Sequence, residues 1–398
     1  MIERRQYIET LKRLKDKNVI KVITGIRRCG KSTLLLLFEE YLRETGTSPD
    51  RIIAVNLESG DFRHLLTADA LYEYIESRMG KDQPYYVFLD EIQNVPDFQR
   101  VVDWLYAKPN VDLYITGSNA FLLSGELATL ISGRYIEVRM LPLSFAEYCS
   151  AFPEEHNTPK LYARYLLNSS FPGALEFTDS KDIRAYLEGI YNTILVKDVA
   201  LRKRVSDISQ LQSLIEFMYD NIGNIASSTK IVNTLTSMGR KISVPTVESY
   251  ISALTSSFIL YRADRYDVKG KERLKNSAKY YAADIGLRYF LLGSKQSDSG
   301  HILENIVYLE LLRRGYEVYV GRVGQSEVDF IVLRDGLTTY IQVSQSILDT
   351  RTRDRELAPL LAIHDHNPKI ILSMDYLPMA SYNGIRQVNV YDWLLEEK

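Results

Sequence analysis

The chain has 398 residues, 45% of them hydrophobic, which predicts a globular protein of two or three domains. Its 49 basic and 51 acidic residues give a net charge of −2, so any binding of a polyanion has to be local. Two cysteines exclude a disulfide framework, and no apolar run approaches the roughly twenty residues that cross a bilayer, so we expect a cytoplasmic protein without a membrane partner.

A phosphate-binding loop is predicted near the start of the chain. Residues 3–17 have the apolar spacing of a helix, and an apolar run at 19–23 predicts a strand. Residues 25–32 follow with the spacing Gly, four residues, Gly-Lys-Ser, and lead into an apolar helix. In such loops the lysine reaches the β- and γ-phosphates and the hydroxyl contacts Mg²⁺. The predicted nucleotide-binding residues are Gly25, Arg28, Gly30, Lys31, Ser32 and Thr33.

Two acidic residues end the next buried strand. Residues 51–57 predict a strand, 71–79 a helix, and 85–89 an apolar strand that runs into Asp90 and Glu91. In a nucleotide hydrolase the first acid orients magnesium and the second polarises the attacking water. The alternative is that the two acids only cap a turn.

A third strand, at 111–116, ends in Gly117, Ser118 and Asn119. We expect Ser118 or Asn119 to sense the γ-phosphate, although Gly-Ser-Asn is also a common turn sequence. Arg134 precedes a strand at 135–138, where it could complete a neighbouring subunit's site or form a surface ion pair. The alternation of strands and helices predicts an α/β domain with a parallel sheet at 1–145.

The middle of the chain is predicted to be helical. Residues 146–204 form a candidate lid, and three amphipathic helices with a β-hairpin predict a winged helix-turn-helix at 205–280. That fold reads duplex DNA or serves as a spacer in ATPases. Contacts with DNA phosphates are expected from the basic residues of the hairpin, which are Lys269, Lys271, Arg273 and Lys275.

The last hundred residues have the element order of a nuclease. A helix and linker at 281–300 precede a domain at 301–398, in which Glu304 lies on a helix, Asp329 in one strand and Gln342 in the next. Nuclease folds of this kind gather metal ligands and a lysine on such elements. The lysine is missing from the third element; it can migrate in such folds, but no nearby strand or helix offers one in an obvious place, so we predict a catalytically degenerate site.

The order of motifs resembles a large group of prokaryotic AAA-type ATPases with a C-terminal domain of uncharacterised function. The resemblance rests on residues 25–33, 88–93, 115–119, 132–134, 141–145 and 327–330. It implies an ATPase domain, a winged helix and a PD-(D/E)XK nuclease-like domain. By this resemblance Lys31 and Ser32 are Walker A residues, Asp90 and Glu91 are Walker B residues, and Arg134 is a finger or sensor.

The leading hypothesis is an ATP- and Mg²⁺-dependent homo-oligomer, with a hexameric ring as one arrangement, that moves or remodels DNA, including branched DNA. Its C-terminal domain would grip DNA without cleaving it. A nucleotide-gated regulatory switch that binds protein partners is a second hypothesis. An ATP-dependent nuclease is the third.

Overall fold

A computed structural model describes residues 2–80, 83–118, 120, 133–200, 207–270, 272–293, 298–377 and 380–396, without the side chains of Lys275 and Asn276. The chain divides into two compact units. Unit 1 comprises Met1–Pro142 and Ser256–Phe258, and unit 2 comprises Leu143–Thr255 and Ile259–Lys398. Of the predicted site residues, Asn119, Lys271 and the side chain of Lys275 lie outside the described part of the chain.

Unit 1 alternates strands and helices. The strands β1 and β3 are buried along their whole length, which explains why their sequences are continuous apolar runs. The elements are α1 (Arg5–Leu14), β1 (Ile20–Thr24), α2 (Lys31–Glu44), β2 (Ile52–Asn56), α3 (Ala68–Glu76), β3 (Tyr85–Asp90), α4 (Phe98–Tyr106), β4 (Val111–Gly117) and β5 (Tyr135–Arg139), with 3-10 turns at Pro49–Arg51, Gly60–Leu65 and Ile92–Asn94.

The five strands of unit 1 form one sheet in the order β2-β3-β4-β1-β5, and every neighbouring pair is parallel. This confirms the predicted parallel α/β fold. Apolar side chains of the sheet, among them Val22, Val87 and Ile115, pack into one core with Leu71 of α3 and Val102 of α4. Because β4 lies between β3 and β1, the carboxyl ends of these three strands meet at one edge of the sheet.

Unit 2 begins with helices. The first starts at a capping box, in which the Ser144 hydroxyl accepts from the Glu147 N–H and the Glu147 carboxylate accepts from the Ser144 N–H. The predicted break near residues 169–173 is present, because the second helix ends before Ser169, whose φ is 76°. These elements are α5 (Phe145–Ser150), α6 (Thr158–Asn168), a 3-10 turn at Pro172–Glu176, α7 (Ser180–Thr193) and a π-helix at Ile194–Ala200.

Three helices and a hairpin follow, as the sequence predicts. The last of the three helices is capped by Ser243, whose hydroxyl accepts from the Thr246 N–H. The hairpin strands β7 and β8 are antiparallel, and β8 also pairs with the short β6. The elements are α8 (Ile208–Asp220), β6 (Ile225–Ala226), α9 (Ser228–Ser237), α10 (Val244–Ser256), β7 (Leu260–Asp267) and β8 (Glu272–Ala282).

The hairpin shares one sheet with the strands that follow it. Strand β7 pairs in parallel with β9, which gives a nine-stranded sheet in the order β13-β14-β12-β11-β10-β9-β7-β8-β6. The sequence pattern does not indicate this connection. The remaining elements are α11 (Ile285–Leu292), α12 (Ser299–Arg313), β9 (Glu317–Val323), β10 (Ser326–Arg334), β11 (Leu337–Ser344), α13 (Thr350–Leu361), β12 (Lys369–Ser373), β13 (Ser381–Tyr382), β14 (Ile385–Asn389) and α14 (Val390–Leu395).

Both cysteines carry free thiols, Cys29 buried and Cys149 half-buried. Across the described ranges, no helix has both the length and the apolar composition that a membrane span requires.

Candidate functional site

The predicted phosphate loop connects β1 to α2 in unit 1. A Cβ atom on Gly25 would lie 2.1 Å from the Met140 carbonyl oxygen, so only glycine fits there. Gly30 has a φ of 104° and immediately precedes α2, so the loop turns directly into the helix. The first N–H groups of α2 have no intrahelical acceptor and carry the partial positive charge of the helix start. Arg28 and Ser32 are exposed, and Thr33 is half-buried.

Lys31 lies folded over the loop. Its side chain is buried, and its ammonium donates to the carbonyl oxygens of Gly25 at 3.2 Å and Ile26 at 3.4 Å. The same nitrogen is 3.6 Å from Oε1 of Glu91. The structure therefore brings together the loop lysine and the second acid of β3, which lie sixty positions apart in the sequence.

Asp90 and Glu91 are both buried at the carboxyl end of β3. Burial raises the pKa of Asp90, and hydrogen bonds from the Ser32 and Thr116 side chains oppose that rise. Glu91 has a left-handed backbone, with φ 53° and ψ 48°, although it is not a glycine. The two acids thus differ in backbone conformation and in hydrogen bonding.

The electrostatic surroundings of Glu91 favour its charged form. Burial acts to raise the pKa of Glu91, but the positive charges of Lys31 and Arg27 hold that pKa below its ordinary value. Hydrogen bonds from Gln93 and Ser118 act in the same direction. An ionised carboxylate at this position is the form that can accept a proton from water.

Two polar side chains, one at the end of β4 and one just after it, complete this edge of the sheet. Ser118 is fully buried and accepts a hydrogen bond from Arg27 at 3.4 Å, so its position beside Glu91 fits the predicted sensor. Thr116 is also fully buried, accepts from the Glu91 N–H at 2.9 Å and donates to Asp90. Sequence analysis missed Thr116. Its polarity directly after the apolar residues Leu113, Tyr114 and Ile115 is the signal that could have identified it.

Two oxygen ligands suited to magnesium lie side by side in this site. Asp90 and Ser32 are hydrogen-bonded to one another, and Mg²⁺ is usually held by one or two protein oxygens together with phosphate oxygens and water. No group of three or more His, Cys, Asp or Glu side chains placed to hold a metal ion is found in the described ranges. The arrangement therefore suits a metal ion that arrives with a phosphate ligand.

Arg134 lies at the amino ends of the strands, opposite the phosphate loop. Strands β1 and β5 are parallel, and the Ile20 N–H at the start of β1 donates to the Arg134 carbonyl oxygen. The phosphate loop instead follows the carboxyl end of β1. The exposed guanidinium of Arg134 is 3.2 Å from Oδ1 of Asp103. Within one chain Arg134 is thus outside the loop's site, and only a second copy could bring it to a nucleotide.

The predicted nuclease positions converge in unit 2. The N–H of Asp329 donates to Oε1 of Gln342 at 3.2 Å. Burial is the main cause that raises the pKa of Asp329, and the nearby negative charge of Glu304 raises it further. The buried hydroxyl of Tyr281 donates to Glu304 at 2.6 Å. The three predicted residues, Glu304 of α12, Asp329 of β10 and Gln342 of β11, therefore lie in one cluster.

A lysine occupies this C-terminal cluster, and the expectation that no neighbouring element offers one was wrong. Lys279 of β8 is buried, with its ammonium 2.8 Å from Oε1 of Glu304, 2.7 Å from Oε1 of Glu327 and 3.9 Å from Oδ1 of Asp329. Burial acts to lower the pKa of Lys279, but these carboxylates raise it above its ordinary value. The lysine comes from the hairpin because β7 and β9 join the hairpin to the C-terminal strands.

The predicted DNA contacts on the hairpin have different surroundings. Lys269 is exposed at the turn between β7 and β8. Arg273 is exposed too, but its guanidinium is 3.6 Å from Oε2 of Glu317 and lies 4.8 Å from the centre of the Tyr319 ring. Lys269 therefore projects from the turn, whereas Arg273 is held against β9.

Comparisons with known proteins bear on both units. A family model described as an AAA domain matches residues 17–149, and another described as a domain of unknown function matches residues 159–298. An uncharacterized protein of Haemophilus influenzae is 39% identical, with 100% of this chain and 99% of that protein aligned. An uncharacterized protein of Methanocaldococcus jannaschii is 30% identical, with 94% and 85% aligned.

A solved structure has a similar fold. The Walker-type ATPase paby2304 of Pyrococcus abyssi aligns with a TM-score of 0.53 at 16% identity, over 73% of this chain and 96% of that chain. At this identity the similarity concerns the fold alone.

Proposed function

This chain belongs to the protein family of its Haemophilus influenzae and Methanocaldococcus jannaschii relatives and carries an AAA domain, and we propose that it hydrolyses ATP to drive an oligomeric motor or remodeller of DNA. One observation carries the hydrolysis part. A phosphate loop, a buried lysine and two differently held acids meet at one sheet edge, where Lys31 and Glu91 are 3.6 Å apart.

In the proposed reaction, each residue of this edge has one task. Lys31 leaves its carbonyl partners for the β- and γ-phosphates, and the start of α2 adds its N–H groups. Asp90 and Ser32 would hold Mg²⁺, which neutralises phosphate charge when it is bound. Glu91 orients and deprotonates the attacking water, and Ser118 reports on the γ-phosphate.

The DNA part of the proposal rests on unit 2. Helices α8, α9 and α10 and the hairpin have the element order of a winged helix, with the exposed Lys269 at the hairpin turn. The proposed nuclease-like domain is supported by the convergence of Glu304 and Asp329, which contact Lys279 and the Val343 N–H. Positive side chains on a projecting hairpin suit the phosphate backbone.

The test is the rate of ATP hydrolysis with no DNA and with duplex, single-stranded and four-way DNA, together with gel shifts. We expect binding and a several-fold stimulation by at least one form. If no form binds or stimulates, the DNA part of the proposal is wrong. Turnover well below about one per minute with a stable ATP-bound state would instead favour the regulatory switch.

An ATP-dependent nuclease is the second candidate, because Lys279 supplies the lysine that the expected third motif lacks. We rank it lower because the Lys279 ammonium already bonds Glu304 and Glu327. Magnesium-dependent cleavage that is lost on Asp329→Ala would establish the nuclease.

A further inference from the structure

One hydroxyl group contacts both acids at the end of β3. Oγ1 of Thr116 accepts a hydrogen bond from the Glu91 main-chain N–H at 2.9 Å and donates its own proton to Oδ1 of Asp90. All three residues are buried, and Thr116 has no exposed surface. Because a backbone N–H can only donate, Oγ1 of Thr116 accepts from Glu91 and uses its single hydrogen to donate to Asp90.

The backbone of Glu91 needs such a contact. A non-glycine residue at φ 53° and ψ 48° lies in the left-handed region, which L-residues rarely occupy because Cβ crowds the following carbonyl. Strained backbone persists where surrounding contacts over-determine it. The hydrogen bond from the Glu91 N–H to Thr116 is such a contact, since it ties the strained residue to the neighbouring strand.

The same hydroxyl fixes the first acid. Asp90 is hydrogen-bonded by Ser32 from one element and by Thr116 from another, so its carboxylate cannot rotate freely. Register accounts for the position, because Leu89 of β3 is paired with Ile115 of β4 and the next residue on each strand is Asp90 and Thr116.

We propose that Thr116 is a positioning residue for ATP hydrolysis. It holds the Glu91 main chain in the conformation that aims the carboxylate at the γ-phosphate, and it fixes the Asp90 carboxylate beside Ser32. This inference rests on the proposed hydrolysis at this site. Thr116 acts through the two acids and touches neither nucleotide nor water.

The test compares Thr116→Val, which keeps the shape and removes the hydroxyl, with Thr116→Ser, which keeps the hydroxyl. We expect Thr116→Val to lower kcat by about tenfold or more while KM for ATP changes by less than about threefold, since binding by the loop is retained. Thr116→Ser should keep kcat within about threefold of the wild type. Thr45→Val is the matched control, because the Thr45 hydroxyl donates only to carbonyls of α2, and its kinetics should be unchanged.

Hydrogen exchange separates this inference from the proposed function. The Glu91 amide should be protected in the wild type and in Thr116→Ser, and it should exchange faster by about tenfold or more in Thr116→Val. If the wild type hydrolyses no ATP, the proposed function fails and so does the role given to Thr116.

Two results would overturn the inference while the proposed function stands. One is a normal kcat in Thr116→Val. The other is an unprotected Glu91 amide in the wild type, which can be measured even if Thr116→Val does not fold. A loss of kcat in Thr116→Ser as large as in Thr116→Val would also contradict it, because the hydroxyl would then not be the active group.

Discussion

Each unit contains a buried lysine that contacts at least one carboxylate, but the contacts of the two ammonium groups differ. In unit 1 the Lys31 ammonium is 3.6 Å from one carboxylate and otherwise contacts two neutral carbonyls. In unit 2 the Lys279 ammonium lies within 2.8 Å of the carboxylates of both Glu304 and Glu327. The first lysine is next to a helix start that attracts anions, and the second is enclosed by anions.

This difference separates a binding site from an internal ion cluster. A lysine held by two neutral carbonyls and one carboxylate at 3.6 Å gives up a single ionic contact when it turns to a phosphate. A lysine bonded to the buried Glu304 and the half-buried Glu327 would leave both carboxylates without their cation, which is costly where burial is high. Under the proposed function, similar side chains would serve ligand binding in unit 1 and charge neutralisation in unit 2.

The largest effect should come from Lys31→Ala. We expect the affinity for ATP to fall by about 100-fold or more, with hydrolysis lost in parallel, because Lys31 is the buried cation of the loop, whereas Arg27 is half-buried and Arg28 exposed. Titration with a fluorescent ATP analogue measures the affinity. Lys108→Ala is the control, since that lysine pairs with Glu76 on the surface of the same unit. Equal affinities in wild type and Lys31→Ala would show that Lys31 does not contribute to nucleotide binding.

A smaller effect, on stability, should follow from Lys279→Met. Removing this ammonium leaves Glu304, Glu327 and Asp329 without their cation, and breaking a buried ion pair in this way costs about 3–5 kcal/mol. Chemical unfolding measures the loss. Lys160→Met removes an exposed lysine that pairs with Glu155 in the same unit, and should cost less than about 1 kcal/mol.

Manganese makes the Lys279 experiment more specific. Without nucleotide, and with Asp90→Ala to remove the proposed metal ligand of unit 1, Mn²⁺ should raise the melting temperature of Lys279→Met and leave that of the parent unchanged. The carboxylates would then bind a cation only after the lysine is gone. An equal rise in both proteins would mean that the C-terminal cluster binds metal as it stands, which would favour the nuclease.

The smallest effect on the isolated chain should come from Arg134→Ala. Its exposed pair with Asp103 contributes at most about 1 kcal/mol, so folding and ATP binding should be unchanged. Hydrolysis should fall only if subunits share sites. Mixing Arg134→Ala with Asp90→Ala should then restore part of the activity, because some interfaces would combine an intact arginine with an intact acid. A full rate for Arg134→Ala alone would exclude the trans role.

Local patterns were sufficient to predict much of unit 1. The spacing of Gly25, Gly30 and Lys31 between an apolar strand and an apolar helix identified the loop, and the acids at the end of an apolar strand identified Asp90 and Glu91. The parallel sheet followed from the alternation of elements. These features are encoded within short windows, where periodicity and turn chemistry act.

Contacts between distant elements were not predictable in the same way. Thr116 joins the acids only through the register of β3 with β4. Lys279 reaches Glu304 and Asp329 only because β7 pairs with β9 and thereby brings the hairpin into the C-terminal sheet. The local sequence marks Thr116 only as a polar residue at a strand end, and it does not mark the pairing of β7 with β9, so the position of Lys279 could not be predicted.

The central claim is that unit 1 is a complete hydrolysis site, and Glu91→Gln tests it most directly. The measurement is the release of phosphate and the retention of ATP by purified wild type and variant with Mg²⁺. We expect the variant to bind ATP as tightly as the wild type and to hydrolyse it about 100-fold more slowly, because the amide cannot take a proton from water. Hydrolysis by Glu91→Gln at the wild-type rate would contradict the account.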